Sequence, residues 1–468
     1  MKKTKIIATL GPACDDKNIL REMVNNGLNV FRINMSHATK EEVDFRVKCA
    51  KELSEELDNY IGILFDTKGP EIRSGIFEKG SIYLKKGNLV SITNKDIVGN
   101  ENLISINYPT LINDLNIGNI VLLNNGLMKL TVVEKKEDEL VCKVEVDGEI
   151  KNKRMVNLPD IVYSMPYLSE ADRMDIITSI KNDADFIALS FVSCKEDVLA
   201  VKEILKEYNN NHIQLICKIE NQRGIDNIDE ILEVSDGIMV ARGDLGVEIP
   251  IEKLPIVQKM LINKCRMTGK ICITATEMLA SMEKSLRPTR AEVSDVANAV
   301  FDGTDAIMLS GETSVGEFPI ETIKVMNDIA KYAEDQMYLS NINRKCTPSD
   351  ITKIITYNAY EMADVLKSKV IIVTTMSGYT ARSLSNYHPN SVIVATTPNL
   401  EVARSLVLNY GIYPKVTKLV KSIDEIINDS IEITKKIMQL NSKDKIVIVG
   451  GLPLGETNNT NFMKVEEI

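Results

Sequence analysis

The chain has 468 residues, 44% of them hydrophobic and 26% charged, with a formal charge of −10, the profile of an ordinary globular protein. That acidic balance argues against a nucleic-acid or anionic-membrane surface as the main partner, so an anionic substrate must meet a local cluster of basic groups or bound metal. No apolar run approaches the ~18 residues of a membrane helix, and Ile6–Leu10 is halted by Gly11-Pro12 before it reaches the length of a secretory signal, so a cytoplasmic location is expected.

From residue 4 to about 337, short unbroken apolar runs alternate with amphipathic stretches. The runs Thr4–Thr9, Val30–Met35, Ile61–Asp66, Phe186–Phe191, Gln214–Glu220, Gly237–Arg242, Lys270–Thr276 and Asp305–Ser310 read as parallel strands buried on both faces. Glu41–Leu57, Ile256–Met267 and Ile320–Tyr338 carry apolar residues at helical period. Pro288-Thr289-Arg290-Ala291-Glu292 reads as a helix start. Eight strands with intervening helices predict a (β/α)8 TIM barrel. Residues 71–158 break the alternation: short strands with Gly75, Gly80, Gly87, Asn125-Gly126 and Asp147-Gly148 turns predict a small β domain inserted after the third strand. After the polar stretch 341–350 an α/β pattern restarts, with strands Val370–Thr374, Val392–Ala395 and Ile446–Gly450 and helices Asp350–Leu366 and Ile423–Gln439. The expected domains are therefore 1–70 with 159–343, 71–158, and 344–468.

Functional side chains of such a barrel gather at the C-terminal strand ends. Here those ends hold Arg32, Asn34 and Ser36; Asp66 and Thr67; Lys218 and Glu220; Asp244; Thr276; Ser310 and Glu312. One such residue is a solvated strand end; polar groups at six ends together point to chemistry. Lys218 and Glu220 share one strand face, and Asp244 ends the next strand. Two carboxylates on neighbouring strands suit Mg²⁺ or Mn²⁺, which take few protein ligands; alternatively Glu220 simply pairs with Lys218. Gly243 and Gly246 permit close backbone approach to an anion, and no Walker A sequence occurs. Asp66-Thr67-Lys68-Gly69-Pro70-Glu71-Ile72-Arg73 adds cations beside oxygen ligands. His37, the nearest histidine to these phosphate-directed groups, reads equally as part of them or as a cap of the following helix. In the last domain Thr374-Thr375-Met376-Ser377-Gly378-Tyr379-Thr380 runs from strand into helix, where hydroxyls and N–H groups would cradle a phosphate or serve structure alone. Eight scattered cysteines without a CxxC pair imply free thiols, and three distant histidines exclude a His/Cys zinc site.

These segments, with Thr9-Leu10-Gly11-Pro12, Phe31 through His37, Ile216 through Asn221, Met239 through Glu248, Arg287 through Val293 and Met308 through Thr313, resemble the pyruvate kinase family along the whole chain. The resemblance implies a TIM barrel, an inserted β-barrel lid domain, a C-terminal α/β regulatory domain, and transfer of a phosphoryl group from phosphoenolpyruvate to ADP. It implies Mg²⁺ (or Mn²⁺) on Glu220 and Asp244, and K⁺ on Asn34, Ser36, Asp66 and the Thr67 carbonyl. Phosphoenolpyruvate would rest on Gly243, Asp244 and Thr276, with Arg32 and Lys218 on the phosphoryl group. Lys218, Arg32 and Thr276 would be the catalytic side chains, Thr276 with Ser310 nearby for the proton. Asn34, Met35, Ser36, His37, Arg73 and Arg154 would face the nucleotide, and Glu71 marks K⁺ dependence. Thr374, Thr375, Ser377, Gly378 and Thr380 would bind a sugar-phosphate or nucleotide effector, in a homotetramer. The chain departs from the family pattern at Asn124-Asn125, Met155, Ser193 and Glu277. Two other readings remain: a metal-dependent oxo-acid lyase or aldolase using Lys218 as a Schiff base, and a non-catalytic regulatory paralogue.

Overall fold

The computed structural model describes residues 1–337, 350–418, 422–453, 455–457 and 459–468; the expected boundary at 343/344 and Cys346 lie outside them. Eight parallel strands close into a barrel in sequence order: β1 (Lys5–Thr9), β2 (Val30–Asn34), β3 (Gly62–Asp66), β4 (Phe186–Leu189), β5 (Gln214–Ile219), β6 (Gly237–Ala241), β7 (Ile271–Ala275) and β8 (Ala306–Leu309). Each lies within two residues of the run the sequence marks. Their apolar residues face two cores. Ile6, Phe31, Ile63 and Ile187 pack outward under the helices, whereas Ile7, Val30, Leu64, Phe186, Ile216 and Met239 fill the barrel interior. Because side chains alternate along a strand, the inward positions continue upward as Thr9, Arg32, Asp66 and Lys218. The barrel is thus apolar below and polar at its C-terminal mouth.

Local capping fixes where helices begin. Thr39 and Glu42 form a reciprocal capping box on helix Lys40–Glu56, and Thr289 and Glu292 another on Arg290–Asp302. Thr39 therefore takes the cap that His37 offered as an alternative; His37 is exposed before it.

Between β3 and β4, six strands form one sheet and four more form two strand pairs, around an apolar core of their own that includes Tyr108, Leu123 and Leu130. The segment also carries a single helical turn, Leu111–Asp114, that the sequence pattern did not announce. At one hairpin Asn124 (φ 53°) and Asn125 (φ 56°) take left-handed backbone that Asn tolerates. A Cβ on the adjoining Gly126 would stand 3.0 Å from Val247 Cγ1, so this hairpin tip rests on the helix Arg242–Glu248.

The C-terminal sheet runs β11 (Ile412–Val416), β10 (Val392–Thr397), β9 (Val370–Thr374), β12 (Lys445–Gly451), β13 (Thr460–Glu467), with only β13 antiparallel. Both faces of β9 are buried, Ile371 and Val373 against one core and Val370 and Ile372 against the other. β11 and β13 are additions to the expected strands. Pro414 interrupts the first, and β13 is an edge strand whose exposed charged residues hide its alternation.

The C-terminal unit closes the lower end of the barrel. Val407 and Leu408 join the barrel's interior core, and Arg404 donates to Asp185 (2.6 Å) and Asp183 (2.5 Å) on the loop before β4. Burial lifts the Asp185 carboxyl to about 6 even though Arg404 pulls it down. The folded state therefore holds this proton below pH ~6 where the unfolded chain does not, and the group's contribution to stability grows as pH falls through that value. Arg404→Ala is expected to cost about 3 kcal/mol at pH 8, where Asp185 is left ionised without its partner. The loss should shrink at pH 5, read from urea midpoints at both pH values; equal losses at both would contradict this account.

Candidate active site

Four consecutive strands bring their ends into one buried polar cluster. On β2, Arg32 Nε donates to Asp66 Oδ2 (2.7 Å) and Nη1 to Thr9 Oγ1 (2.6 Å). On β3, Asp66 is 1% exposed. Burial alone would raise its carboxyl, but Arg32 and Lys218 outweigh burial and hold it below the ordinary range. On β5, Lys218 Nζ lies 2.9 Å from Glu220 Oε1 and 3.4 Å from Asp66 Oδ1. Burial opposes its charge, yet those two carboxylates carry the ammonium above its usual pKa. Lys218 is therefore a fixed cation at neutral pH.

Glu220 is fully buried just past β5. Its Oε2 accepts the Phe191 N–H at 2.6 Å, while Oε1, though near Lys218, has no hydrogen bond of good geometry. Burial, reinforced by the Asp244 charge, pushes its carboxyl above the ordinary range despite Lys218. A desolvated carboxylate oxygen left short of partners, with Asp244 beside it, is a donor set a hard divalent cation fits. Among the described residues no group of three or more His, Cys, Asp or Glu side chains could hold a metal; this pair would leave the other positions to substrate and water oxygens.

The opposite wall is built from β6 and β7. Gly243 N donates to Thr276 Oγ1 (2.7 Å), and that hydroxyl donates to Ala275 O (2.6 Å). Thr276 (φ 68°) and Glu277 (φ 52°) are successive non-glycine residues in left-handed backbone, a strain that persists only when the surroundings impose it. Arg242 imposes it. Buried beneath the turn, it donates to Ala275 O (3.3 Å) and Thr276 O (2.6 Å) and pairs with Asp295 (2.7 Å).

The remaining expected residues lie around this centre. Asn34 Oδ1 accepts the Ser36 N–H (3.1 Å), and Met35 N donates to Asp66 O (3.0 Å). Arg73 sits where the inserted segment joins the barrel, donating to Glu71 Oε2 (2.9 Å) and the Lys153 carbonyl (3.0 Å). Arg154 lies beside it, paired through its backbone to Ser74 (2.8 and 3.0 Å). The inserted segment also reaches the barrel through Asn157 Nδ2, which donates to Glu248 (2.9 Å). Thr374, Thr375, Ser377 and Thr380 line a separate cavity at the carboxyl ends of β9 and its neighbours. Gly378 (φ 80°) supplies the turn there, and its N–H is spent on Thr375 Oγ1 (3.0 Å).

Two residues central to this geometry were missed from sequence. Ser190 accepts Lys218 Nζ at 2.7 Å, and Arg242 braces the Thr276 turn. The inward parity of β4, continued from Phe186 and Ala188, was the signal that could have found Ser190.

Comparison with known proteins agrees with this architecture. The family model "Pyruvate kinase, barrel domain" matches residues 1–323, and "Pyruvate kinase, alpha/beta domain" matches 353–466. The chain is 45% identical to pyruvate kinases of Staphylococcus haemolyticus (strain JCSC1435) and Staphylococcus aureus (strain MRSA252), over 99% of its own length and 80% of theirs. The chain belongs to the pyruvate kinase family. A crystal structure of a pyruvate kinase from Cryptosporidium parvum superposes with a TM-score of 0.93 at 38% identity, covering 100% of this chain and 96% of that one. The activity is phosphoryl transfer from phosphoenolpyruvate to ADP, giving pyruvate and ATP, and the family generally depends on Mg²⁺ and K⁺. No helix among the described residues is long and apolar enough to cross a membrane.

For a pyruvate kinase, the Thr276 turn makes a specific demand. Thr276→Val keeps the shape but removes the hydroxyl that orders the Gly243 N–H and would meet the phosphoenolpyruvate carboxylate, a loss of about 1–3 kcal/mol in the complex. The expected result is a kcat/KM for phosphoenolpyruvate lower by roughly 5- to 150-fold; an unchanged value would remove Thr276 from the site.

Proposed function

We propose that this pyruvate kinase works mainly by fixed positive charge, and the observation that carries this reading is the Lys218 ammonium held between Asp66 and Glu220. Arg32 and Lys218 grip the phosphoryl group as its bond to the enol oxygen breaks and its bond to the ADP terminal phosphate oxygen forms. Because both cations are already oriented, little reorganisation accompanies the transfer. Glu220 and Asp244 would hold Mg²⁺ or Mn²⁺; Asn34, Ser36, Asp66 and the Thr67 carbonyl would hold K⁺. When bound, these ions neutralise charge on the phosphates and the transferring group. The phosphoenolpyruvate carboxylate would lie on the Asp244 N–H and, displacing the present Gly243–Thr276 hydrogen bond, on the Gly243 N–H and the Thr276 hydroxyl. The enolate left behind then takes a proton at carbon, with Thr276, a water and Ser310 as the proposed relay. Asn34, Met35, Ser36, His37, Arg73 and Arg154 would receive the nucleotide as the lid, 71–158, closes on the barrel.

The lyase reading requires Lys218 as a neutral amine, and its two carboxylate neighbours oppose that. The regulatory-paralogue reading would leave a fully assembled Arg32–Asp66–Lys218–Glu220 cluster without a use.

The C-terminal residues 344–468 are read as a regulatory domain of a homotetramer. The cavity at the ends of its parallel strands has Lys418 on its wall besides the hydroxyls, a position where open α/β sheets take ligands. Its proposed occupant is a phosphorylated sugar or nucleotide.

Turnover measured with phosphoenolpyruvate, ADP and Mg²⁺ should collapse when choline replaces K⁺; activity undiminished by that exchange would refute the K⁺ assignment. Lys218→Ala should lower kcat at least about a hundredfold, and near-normal turnover would refute the mechanism. Ser377→Glu puts a carboxylate in the effector cavity and should abolish activation by sugar phosphates while unactivated turnover persists; retained activation would place the effector elsewhere.

A further inference from the structure

Ser190 occupies a junction that none of the roles above uses. It is 2% exposed. Its Oγ donates to the Thr67 carbonyl at 2.7 Å, lies 3.3 Å from Asp66 Oδ1, and accepts from Lys218 Nζ at 2.7 Å. A serine hydroxyl has one proton and two lone pairs. With Lys218 donating to it, that single proton has two acceptors in reach, the Thr67 carbonyl and the Asp66 carboxylate.

The backbone that carries this hydroxyl is also firmly held. Tyr167 Oη donates to the Ser190 carbonyl at 2.9 Å, and Phe191, next in the chain, donates its N–H to Glu220 Oε2 at 2.6 Å. A Cβ on Gly69 would come within 2.8 Å of Ser190 O, so the β3 loop packs directly on this backbone. Lys218, by contrast, ends a flexible four-carbon stem with three rotatable donors. Two carboxylates fix its charge, but each is a broad target. Ser190 offers one point, and it sets where the ammonium stands.

We infer that Ser190 is a positioning residue that holds Lys218 in register with the phosphoryl group and couples that register to the Asp66/Thr67 oxygens. The inference rests on the proposed roles of Lys218 and of the Asp66/Thr67 set. A monovalent cation held by the Thr67 carbonyl and Asp66 would draw on both acceptors of the Ser190 proton, and the hydroxyl turns as the balance between them shifts. The acceptor lone pair presented to Lys218 turns with it. Occupancy of one site is thereby communicated to the other through one hydroxyl.

Ser190→Ala in the full chain tests this. The expected result is kcat reduced about 10- to 100-fold, the scale of a hydrogen bond to a charged group, with KM for phosphoenolpyruvate nearly unchanged. Half-maximal activation should need more K⁺, and binding of thallous ion, followed by thermal shift without substrates, should weaken. Adding Ser190→Ala to Lys218→Ala should lower kcat no further, because the hydroxyl acts through that lysine; a purely structural role would cost the same factor in both backgrounds, which overturns the inference. Wild-type kcat and thallous-ion binding in Ser190→Ala would overturn it as well. If Lys218→Ala itself keeps normal turnover, the proposed mechanism falls first; if Lys218→Ala fails and Ser190→Ala does not, only this inference falls.

Discussion

Charge buried without water must find its counter-charge inside the protein, and the mouth of this barrel is organised by that requirement. Asp66 and Glu220 are almost wholly withdrawn from solvent, and each would be strongly destabilising alone. Arg32 and Lys218 meet them because β2, β3, β4 and β5 are neighbours and their inward positions reach one level. The register pairs Asn34 with Asp66 and Asp66 with Ala188. The outcome is an alternating row of cations and anions whose members fix one another's place and protonation. A site assembled to move a highly charged group is thus also the arrangement that makes its own burial tolerable.

The other wall solves a different problem, the shape of a turn. Thr276 and Glu277 sit in backbone that side chains disfavour, and Arg242 holds them there through carbonyls and its pair with Asp295. The two walls meet at the Gly243–Asp244 start of a short helix. One is braced by charge pairs, the other by a buried fork of N–H donors.

The barrel was legible because strands buried on both faces leave unbroken apolar runs, and eight of them with helices between allow few alternatives. Lys218 and Glu220 were legible as well: two residues apart where β5 runs out, they face the same way. The partnership of Ser190 and the bracing by Arg242 were not, since both depend on which side chains meet across strands distant in sequence. β11 escaped notice because Pro414 interrupts it, and β13 because its charged residues belong to a solvent edge. His37 was ambiguous until Thr39 and Glu42 completed the cap beside it.

Val407 and Leu408 seal the lower end of a barrel whose first strand begins some four hundred residues earlier. During synthesis the N-terminal strands can pair and the helices can dock, but the interior lacks part of its floor until the C-terminal unit has emerged. Contacts of such long sequence separation are closed late and at an entropic cost. The nascent barrel would therefore pass through a stage with an apolar opening exposed, the kind of surface that draws chaperones or misassembly. The barrel and the C-terminal unit of this chain are joined in their birth as much as in their fold.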